Sequence, residues 1–185
     1  MDKKRQKRIS KFLSLVLRHQ PDKIGIQLEE SGWVEVTTLL EKLNANDKRL
    51  ELDLPTLKLV VTENDKLRFQ FNEDETKIRA TQGHSVDVDL GYEPAAPPEI
   101  LCHGTPEKFV APIKEQGLQK QARHHVHLHQ DEDLASDVGG RRGKPVLLKI
   151  RAAEMHQAGF QFFVTPNDVW LTDHVPPEFI EFPES

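Results

Sequence analysis

The spacing of apolar residues near the start of the chain predicts an amphipathic helix. Apolar side chains recur at the i, i+3, i+4 interval of one helix face, at Ile9, Phe12, Leu13, Val16 and Leu17. Pro21 stops a helix and biases the preceding residue towards an extended conformation, so we expect the helix over residues 8–19. Arg18 and His19 then lie in its last turn, where cationic side chains complement the helix dipole.

The segment that follows this helix, up to Ser85, alternates short extended stretches with helices. We predict extended segments at 25–28 and 32–36, a helix from Thr37 or Thr38 through Leu43, a second over 54–61, and strands at 67–71 and 78–80. Three helices followed by a hairpin is the element order of a winged-helix domain. Such a fold analogy does not by itself establish a function.

A stretch at 86–99 that is rich in proline and acidic residues predicts a linker. Beyond it, short apolar runs predict strands near 100–103, 126–128, 145–150, 162–164 and 169–171, and helices over 106–116 and 131–138 that end at Gly117 and Gly139. These elements predict an α+β protein with one domain over 1–85 and another over 100–185.

Composition narrows the class of protein. The 185 residues are 37% hydrophobic and 30% charged, which fits one or two small soluble domains. A net charge of −5 argues against a protein that coats nucleic acid, although it permits a local basic pocket. The one cysteine, Cys102, excludes an intrachain disulfide and favours a reducing compartment, so we expect a cytoplasmic protein. We see no run of transmembrane length and no signal peptide, and we expect a monomer without a membrane partner.

Arginines are the first candidates for chemistry. Arg68 lies on the predicted strand 67–71, Arg79 precedes the polar turn 81–85, and Arg123 opens a segment rich in histidine. The planar guanidinium group binds two phosphate oxygens at once, so a convergent set of arginines would hold a phosphate. Taken singly, each arginine is better explained as a solvated surface charge, and spacing alone does not show that they converge.

Histidines are the second group of candidates. His103-Gly104-Thr105 is expected at a strand end, where the glycine would let a ligand approach and the two side chains would donate to ribose hydroxyls, although an incidental polar turn explains it equally well. His125, His127 and His129 alternate, so a strand would place them on one face in a plausible zinc geometry. No nearby cysteine or carboxylate clearly completes such a site, and we expect no metal.

Three further features receive structural interpretations. The segment Gly139–Lys144 lacks the spacing of a phosphate-binding loop, so we predict a basic glycine turn before a strand. Trp33 and Trp170 are expected to anchor the core.

Several segments taken together carry a resemblance to a known family. In the N-terminal half they are Ser10–His19, Gly32–Trp33, Lys66–Phe69 and Ile78–Ser85. In the C-terminal half they are His103–Thr105, Gly117–Leu118, Arg123–Leu128, Val138–Arg141 and Asn167–Leu171. In this order, over nearly the whole chain, they resemble the NAD-dependent RNA (tRNA) 2′-phosphotransferase family.

The resemblance implies an N-terminal winged-helix lobe for RNA and a C-terminal lobe of the ADP-ribosyltransferase type for NAD. On the matching motifs, the catalytic residues of the family fall at Arg18, His19, Arg68 and Arg123. Its NAD-binding residues fall at His103, Gly104, Thr105 and His127, which removes much of the case for zinc. We expect the surface on the phosphate side to be shaped by Arg79, Gln82, His84 and Ser85.

The implied reaction, known from tRNA splicing, transfers an internal RNA 2′-phosphate to NAD without a metal. The phosphate attacks NAD and expels nicotinamide, giving a 2′-phospho-ADP-ribosylated RNA. The ADP-ribose 2″-hydroxyl then attacks the phosphate, which gives a free RNA 2′-hydroxyl and ADP-ribose 1″,2″-cyclic phosphate. A phosphate is already an anionic nucleophile, so a site rich in arginine and without a catalytic carboxylate suits this chemistry.

Three positions depart from the family pattern. Cys102 stands where tyrosine is frequent, His129 where serine is common, and Asp168 where glycine is usual. None of these changes removes a catalytic group, but they bear on the affinity for NAD.

Two other functions stay open at this point. One is an ADP-ribosyltransferase that acts on nucleic-acid phosphate ends or on protein; the nearest candidate carboxylate, Glu178, lies in a Pro-Pro-Glu turn that we interpret as structural. The other is a non-catalytic winged-helix binding module, which is disfavoured by the single lysine in the segment 54–61.

Overall fold

The computed structural model describes residues 1–64, 67–141 and 143–183, and the chain divides into two compact units, Met1–Gly91 and Tyr92–Ser185. Lys66 of the segment Lys66–Phe69 and Arg142 of the segment Gly139–Lys144 are not among the described residues. Both units mix helices with short strands, as expected for an α+β protein. No described helix is both long enough and apolar enough to cross a membrane.

Among its described residues, the first unit has three α-helices: α1 (Lys3–Arg18), α2 (Val36–Asn46) and α3 (Leu54–Thr62). The predicted helices at 8–19 and 54–61 are confirmed, but α1 begins at Lys3 because the Asp2 carboxylate accepts from the backbone N–H of Arg5 at 3.2 Å. The prediction of a threonine cap for α2 is wrong, since this helix begins at Val36 directly after a strand.

The strands of the first unit form one antiparallel sheet of β1 (Val34–Glu35), β2 (Phe69–Phe71) and β3 (Lys77–Ala80), with β3 in the centre. The predicted strand 67–71 begins only at Phe69, because Leu67 has a φ of +40° and is 47% exposed. The predicted extended segment 25–28 belongs to no strand.

The core of the first unit is formed by the apolar face of α1 against the other helices and the sheet. Its fully buried side chains include Ile9, Leu13, Val16, Leu17, Leu39, Leu43, Leu57, Val60 and Ile78. The i, i+3, i+4 face read from the sequence is therefore the face that α1 buries. The opposite face of α1 and its C-terminal end are left for solvent and for other contacts.

The second unit holds eight short strands and three helices among its described residues. The strands are β4 (Ile100–Pro106), β5 (Leu118–Gln119), β6 (Val126–Leu128), β7 (Pro145–Arg151), β8 (Phe163–Val164), β9 (Trp170–Thr172), β10 (His174–Val175) and β11 (Ile180–Glu181). The helices are α4 (Val110–Gln116), α5 (Glu132–Gly140) and α6 (Ala152–Gln157).

Antiparallel pairing orders these strands as β11-β7-β4, β6-β9-β8 and β10-β5. An isolated bridge between Cys102 and His129 connects β4 with the end of β6. The core under the sheets includes Leu101, Leu128, Leu148, Ile150, Met155, Phe162 and Trp170. Trp170 is 8% exposed, which confirms its prediction as a core anchor.

Two predicted helix boundaries of the second unit differ from the structure. Pro106 ends β4, and α4 begins at Val110 after a short 3₁₀ turn, while Gly117 ends that helix at a φ of +72° as predicted. Helix α5 continues through Gly139 to Gly140, so the start of the predicted basic turn is helical. The reason is the close packing of α5 on β4, described below.

Candidate functional site

The C-terminal end of α1 is hydrogen-bonded to Ser85. The backbone N–H of Ser85 donates to the carbonyl oxygen of Arg18 at 2.8 Å, and the Ser85 hydroxyl lies 2.9 Å from Nδ1 of His19. A helix leaves its last carbonyls without intrahelical partners, so the first contact satisfies a group that the helix end exposes. The second contact orients the exposed imidazole of His19.

Arg18 and Arg68 meet in the same cluster. Nη2 of Arg18 donates to the carbonyl oxygen of Arg68 at 3.2 Å, and this oxygen also accepts from the backbone N–H of Thr81 at 3.0 Å. The end of α1 and the turn 81–85 therefore converge on one main-chain group, in the residue that precedes β2. The first unit therefore brings Arg18 and His19 together with Arg68 and Ser85, which follow much later in the sequence.

Asn64 is a residue of this cluster that the sequence did not reveal. It is 7% exposed, its Oδ1 accepts from Nη1 of Arg68 at 3.2 Å, and its Nδ2 lies 3.3 Å from the hydroxyl of Ser10. It thereby orients one guanidinium from the interior. In the sequence, an asparagine just after a helix is typical of an ordinary helix end, so no local signal marked it.

The residues of the turn 81–85 that were predicted to contact substrate differ in their exposure to solvent. Gly83 has a φ of +82°, a conformation that glycine adopts without strain, and Ser85 is exposed while Gln82 is half-buried. His84 is 2% exposed, and its Nε2 lies 3.3 Å from where a Cβ on Gly32 would be. His84 therefore supports the turn from inside, which differs from the position on the phosphate-side surface that we predicted.

Arg79 contacts three other residues of the first unit. Its Nη1 donates to the carbonyl oxygens of Ser31 at 3.2 Å and Leu90 at 3.3 Å, and its guanidinium lies 4.6 Å from the centre of the Trp33 ring. Trp33 is only half-buried, so its prediction as a core anchor is wrong: it serves as the platform for Arg79. These contacts give Arg79 a structural role, and its contact with substrate stays a prediction.

His103 lies inside β4, not at a strand end as predicted, because the pairing with β7 continues to Pro106. Its Nδ1 lies 2.9 Å from the carbonyl oxygen of His127, and since a carbonyl only accepts, Nδ1 carries the proton. Burial lowers the pKa of His103, the hydrogen bond to His127 raises it, and the charge of Arg123 lowers it further. The imidazole is therefore neutral at pH 7, and its Nε2 is an acceptor, not the donor that we expected.

Gly104 is required by helix packing. A Cβ at this position would lie 1.8 Å from the carbonyl oxygen of Ala135 in α5, and a Cβ on Gly139 would lie 2.5 Å from the carbonyl carbon of Gly104. The two glycines let α5 rest directly on the backbone of β4. The space that we expected a ligand to use on this side of the strand is filled by the helix.

Arg123 and His127 complete a second cluster. Nη1 of Arg123 donates to Nδ1 of His127 at 3.1 Å, so Nδ1 of His127 is an acceptor. His103, His127 and Arg123 are thus linked by two consecutive hydrogen bonds in the second unit. Thr105 follows on the same face of β4 as His103 and is 4% exposed.

Comparison with known proteins decides the family. A family model described as "RNA 2'-phosphotransferase, Tpt1 / KptA family" matches residues 4–174. The chain belongs to the RNA 2′-phosphotransferase family.

Curated relatives cover almost the same span. A protein of Flavobacterium johnsoniae is 52% identical over 95% of this chain and 96% of its own length. One of Rhodopirellula baltica is 53% identical over 94% of each chain, and one of Fusobacterium nucleatum is 43% identical over 95% of this chain and 97% of its own. Each is named "Probable RNA 2'-phosphotransferase". The resemblance read from the motifs is thus confirmed at the level of the family.

Two of the three positions that were expected to depart from the family pattern lie in defined backbone environments. Cys102 is buried and exchanges two main-chain hydrogen bonds with His129, of 2.7 and 2.9 Å, and burial raises the pKa of its thiol. Asp168 has a φ of +56°, in the left-handed region that glycine prefers and that aspartate tolerates better than most residues. Both substitutions are therefore accommodated by the local backbone.

Each of the three alternating histidines of this chain makes a different contact. His125 packs against Phe163 with tilted rings whose centres are 5.6 Å apart, His127 accepts from Arg123, and His129 is 9% exposed at the bridge to Cys102. Within the described ranges, no three or more His, Cys, Asp or Glu side chains are grouped so as to hold a metal ion. The arrangement therefore gives no support to zinc.

Proposed function

We propose that the protein removes an internal 2′-phosphate from RNA by transferring it to NAD. An oxygen of the phosphate bonds to the nicotinamide-bearing ribose carbon as the bond to nicotinamide breaks. The neighbouring 2″-hydroxyl then bonds to phosphorus, the bond to the RNA 2′-oxygen breaks, and that oxygen takes up a proton. The products are RNA with a 2′-hydroxyl, nicotinamide and ADP-ribose 1″,2″-cyclic phosphate.

The observation that carries the proposal is the hydrogen-bonded cluster of Arg18, His19 and Arg68 in a chain of this family. Arg68 is oriented by Asn64 and His19 by Ser85, so both side chains are held in place before a substrate arrives. Preorganised cations stabilise the charge that develops during phosphoryl transfer with little further reorganisation.

Each residue receives a role that its contacts support. We assign Arg18, Arg68 and Arg123 to binding and charge stabilisation of the phosphate. Because Ser85 engages Nδ1 of His19, proton exchange with the ribose hydroxyls is assigned to Nε2 of that ring. Gln82 and Ser85 border this cluster at the turn 81–85 and are assigned to the substrate side.

The second cluster fits a ribose of NAD. The neutral His103 accepts at Nε2, which matches a sugar hydroxyl as donor, and the family positions Gly104, Thr105 and His127 lie on the same or the neighbouring strand. We therefore propose the second unit as an ADP-ribosyltransferase-type lobe that binds NAD.

The first unit is proposed as a winged-helix lobe that binds RNA. Its order α1, β1, α2, α3, β2, β3, with β3 central in the sheet, supports this assignment. The lysine of α3, Lys58, is ion-paired with Glu75, so α3 offers little basic surface for duplex DNA, and a binding module without catalysis is not favoured. Function as a cytoplasmic monomer completes the proposal.

The test uses a short RNA with one internal, labelled 2′-phosphate, incubated with and without NAD. NAD-dependent transfer of the label to ADP-ribose cyclic phosphate is the expected result. NAD consumption without label transfer would overturn the proposal in favour of another acceptor. If NAD is not consumed and the label is not transferred, the protein does not catalyse this reaction.

Single substitutions test the assigned residues. Arg18→Ala should abolish turnover, and Arg68→Ala or Arg123→Ala should slow the second step most, so that ADP-ribosylated RNA accumulates. Arg49→Ala is the matched control, because its side chain is 85% exposed and bonded to Asp47. Wild-type turnover by Arg18→Ala would contradict the assignment.

A further inference from the structure

Helix α1 carries an unusual concentration of positive charge. Its sixteen residues hold seven of the 25 lysines and arginines of the chain and none of the 30 acidic residues. Arg5 has a structural role, because its Nη2 donates to the carbonyl oxygens of Leu50 at 2.8 Å and Glu51 at 3.3 Å. Five further cations are exposed, at Lys3, Lys4, Lys7, Arg8 and Lys11. We call these five residues the basic face of α1.

The five positions and Arg18 share one side of the helix. At about 100° per residue they fall within an arc of roughly 140°, with Arg18 near its centre. The buried residues Ile9, Leu13 and Val16 lie on the opposite side. At about 1.5 Å per residue, the basic face runs about 12 Å from Lys3 to Lys11, and Arg18 lies about 10 Å further along the helix.

This arrangement does not serve the stability of the helix. Lys3 and Lys7, Lys4 and Arg8, and Lys7 and Lys11 are like charges one helical turn apart, which repel. Cations in the first turn also oppose the helix dipole, and the first turn of α1 holds no acidic residue. None of the five forms an ion pair with a described acidic side chain. The charge is therefore better explained by an anionic partner.

We propose that the basic face of α1 binds the phosphate backbone of the substrate RNA beside the 2′-phosphate, and so guides that phosphate to Arg18. This inference rests on the proposed function, since it takes the same RNA as its ligand. Arg18, which belongs to the cluster assigned to the 2′-phosphate, lies further along the same side of the helix, as expected for a surface that binds one continuous polyanion. A membrane-bound helix would instead expose an apolar face, whereas Ile9 is 1% and Leu13 0% exposed within the core.

The first test measures binding directly. The variant changes all five cations to glutamine, at Lys3, Lys4, Lys7, Arg8 and Lys11. A control variant changes five exposed lysines elsewhere to glutamine, at Lys23, Lys42, Lys48, Lys108 and Lys114, and so has the same net charge. Binding of a labelled single-stranded RNA of about twenty nucleotides is measured by fluorescence anisotropy as a function of salt.

The salt dependence gives the expected size of the effect. Each phosphate that the protein no longer neutralises should make the slope of log K against log salt shallower by about 0.7, so the variant slope should decrease by up to about 3.5, and affinity should fall at least about tenfold at about 0.1 M salt. The control variant should keep the wild-type slope. Equal slopes and affinities for wild type and variant would overturn the proposal.

Turnover then separates the two proposals. On the long RNA with one 2′-phosphate, kcat/KM of the variant should fall at least about tenfold, while on a trinucleotide carrying the same phosphate it should match the wild type within about twofold. Failure of the wild type on both substrates would refute the proposed function without touching the binding result. An equal decrease on both substrates would overturn the guiding role. Binding to vesicles of phosphatidylcholine and phosphatidylserine that depends on the five cations, with RNA binding unchanged, would assign the face to a membrane instead.

Discussion

Replacing Gly104 by alanine tests the close approach of α5 to β4. The added Cβ would lie 1.8 Å from the carbonyl oxygen of Ala135, 2.6 Å from its carbonyl carbon and 3.0 Å from the backbone nitrogen of Gly139. Since a carbon and a carbonyl oxygen in contact are about 3.3 Å apart, helix and strand would have to separate by about 1.5 Å. The obstructing atoms belong to the backbone, so no side chain can rotate away. Overpacking a core costs ~1–3 kcal/mol, and we expect a value near the upper end.

Urea unfolding of the protein without ligand measures this cost. Fluorescence of Trp170, which lies in the core of the second unit, reports the transition in a Trp33→Phe background. With a slope of about 1.5 kcal/mol per molar urea, a decrease of about 3 kcal/mol in the free energy of unfolding lowers the midpoint by about 2 M. Gly140→Ala is the control in the same helix, because its Cβ would meet nothing nearer than 3.6 Å, and it should be neutral or slightly stabilising. A midpoint for Gly104→Ala within about 0.3 M of wild type would refute the packing argument.

Three further predictions concern the two clusters and the Arg79 contacts. Ser85→Ala removes one hydrogen bond to His19, worth about 1 kcal/mol, so turnover should fall about fivefold with an altered pH–rate profile, while Ser85→Thr should retain activity. Burial lowers the pKa of His103 from 6.5, so the unfolded chain binds a proton at a higher pH than the folded chain. The stability that this residue contributes is therefore complete above pH 6.5 and decreases as the pH falls below it. His103→Gln should remove that part of the pH dependence of the urea midpoint. Arg79→Lys removes the hydrogen bonds to two carbonyls and the stacking on the Trp33 ring and should destabilise the first unit by ~1–3 kcal/mol, measured by Trp33 fluorescence; an unchanged midpoint would show that these interactions are incidental.

Periodicity in the sequence predicted the elements that bury one face. Helix α1, helix α3 and the hairpin of β2 and β3 were found because their apolar positions repeat with the period of a helix or of a strand. The start of α1, from Lys3 to Lys7, was missed because it is polar and carries no such repeat. Leu67 misled the strand prediction, since its alternation with Phe69 cannot reveal a backbone φ of +40°.

The candidate site shows where sequence reasoning stops. Family motifs located Arg18 and His19, but their partner Ser85 is 66 residues from His19, and its contact depends on the fold. The same holds for Gly104, whose obvious interpretation was ligand approach and whose actual neighbour is Ala135, in a helix that follows much later in the chain. Long-range contacts of this kind determine the tautomers and orientations of side chains and the space between packed elements. They cannot be predicted from a local sequence pattern.

The basic face of α1 sets stability against ligand affinity. Its like charges repel in the folded helix, so added salt should screen them and strengthen the fold of the first unit. The same salt should weaken any contact that these lysines make with phosphates. High salt is therefore expected to increase the stability of the first unit while it decreases the affinity for RNA. Substitutions that remove charge from α1 should yield variants that are more stable and have a lower kcat/KM on long RNA.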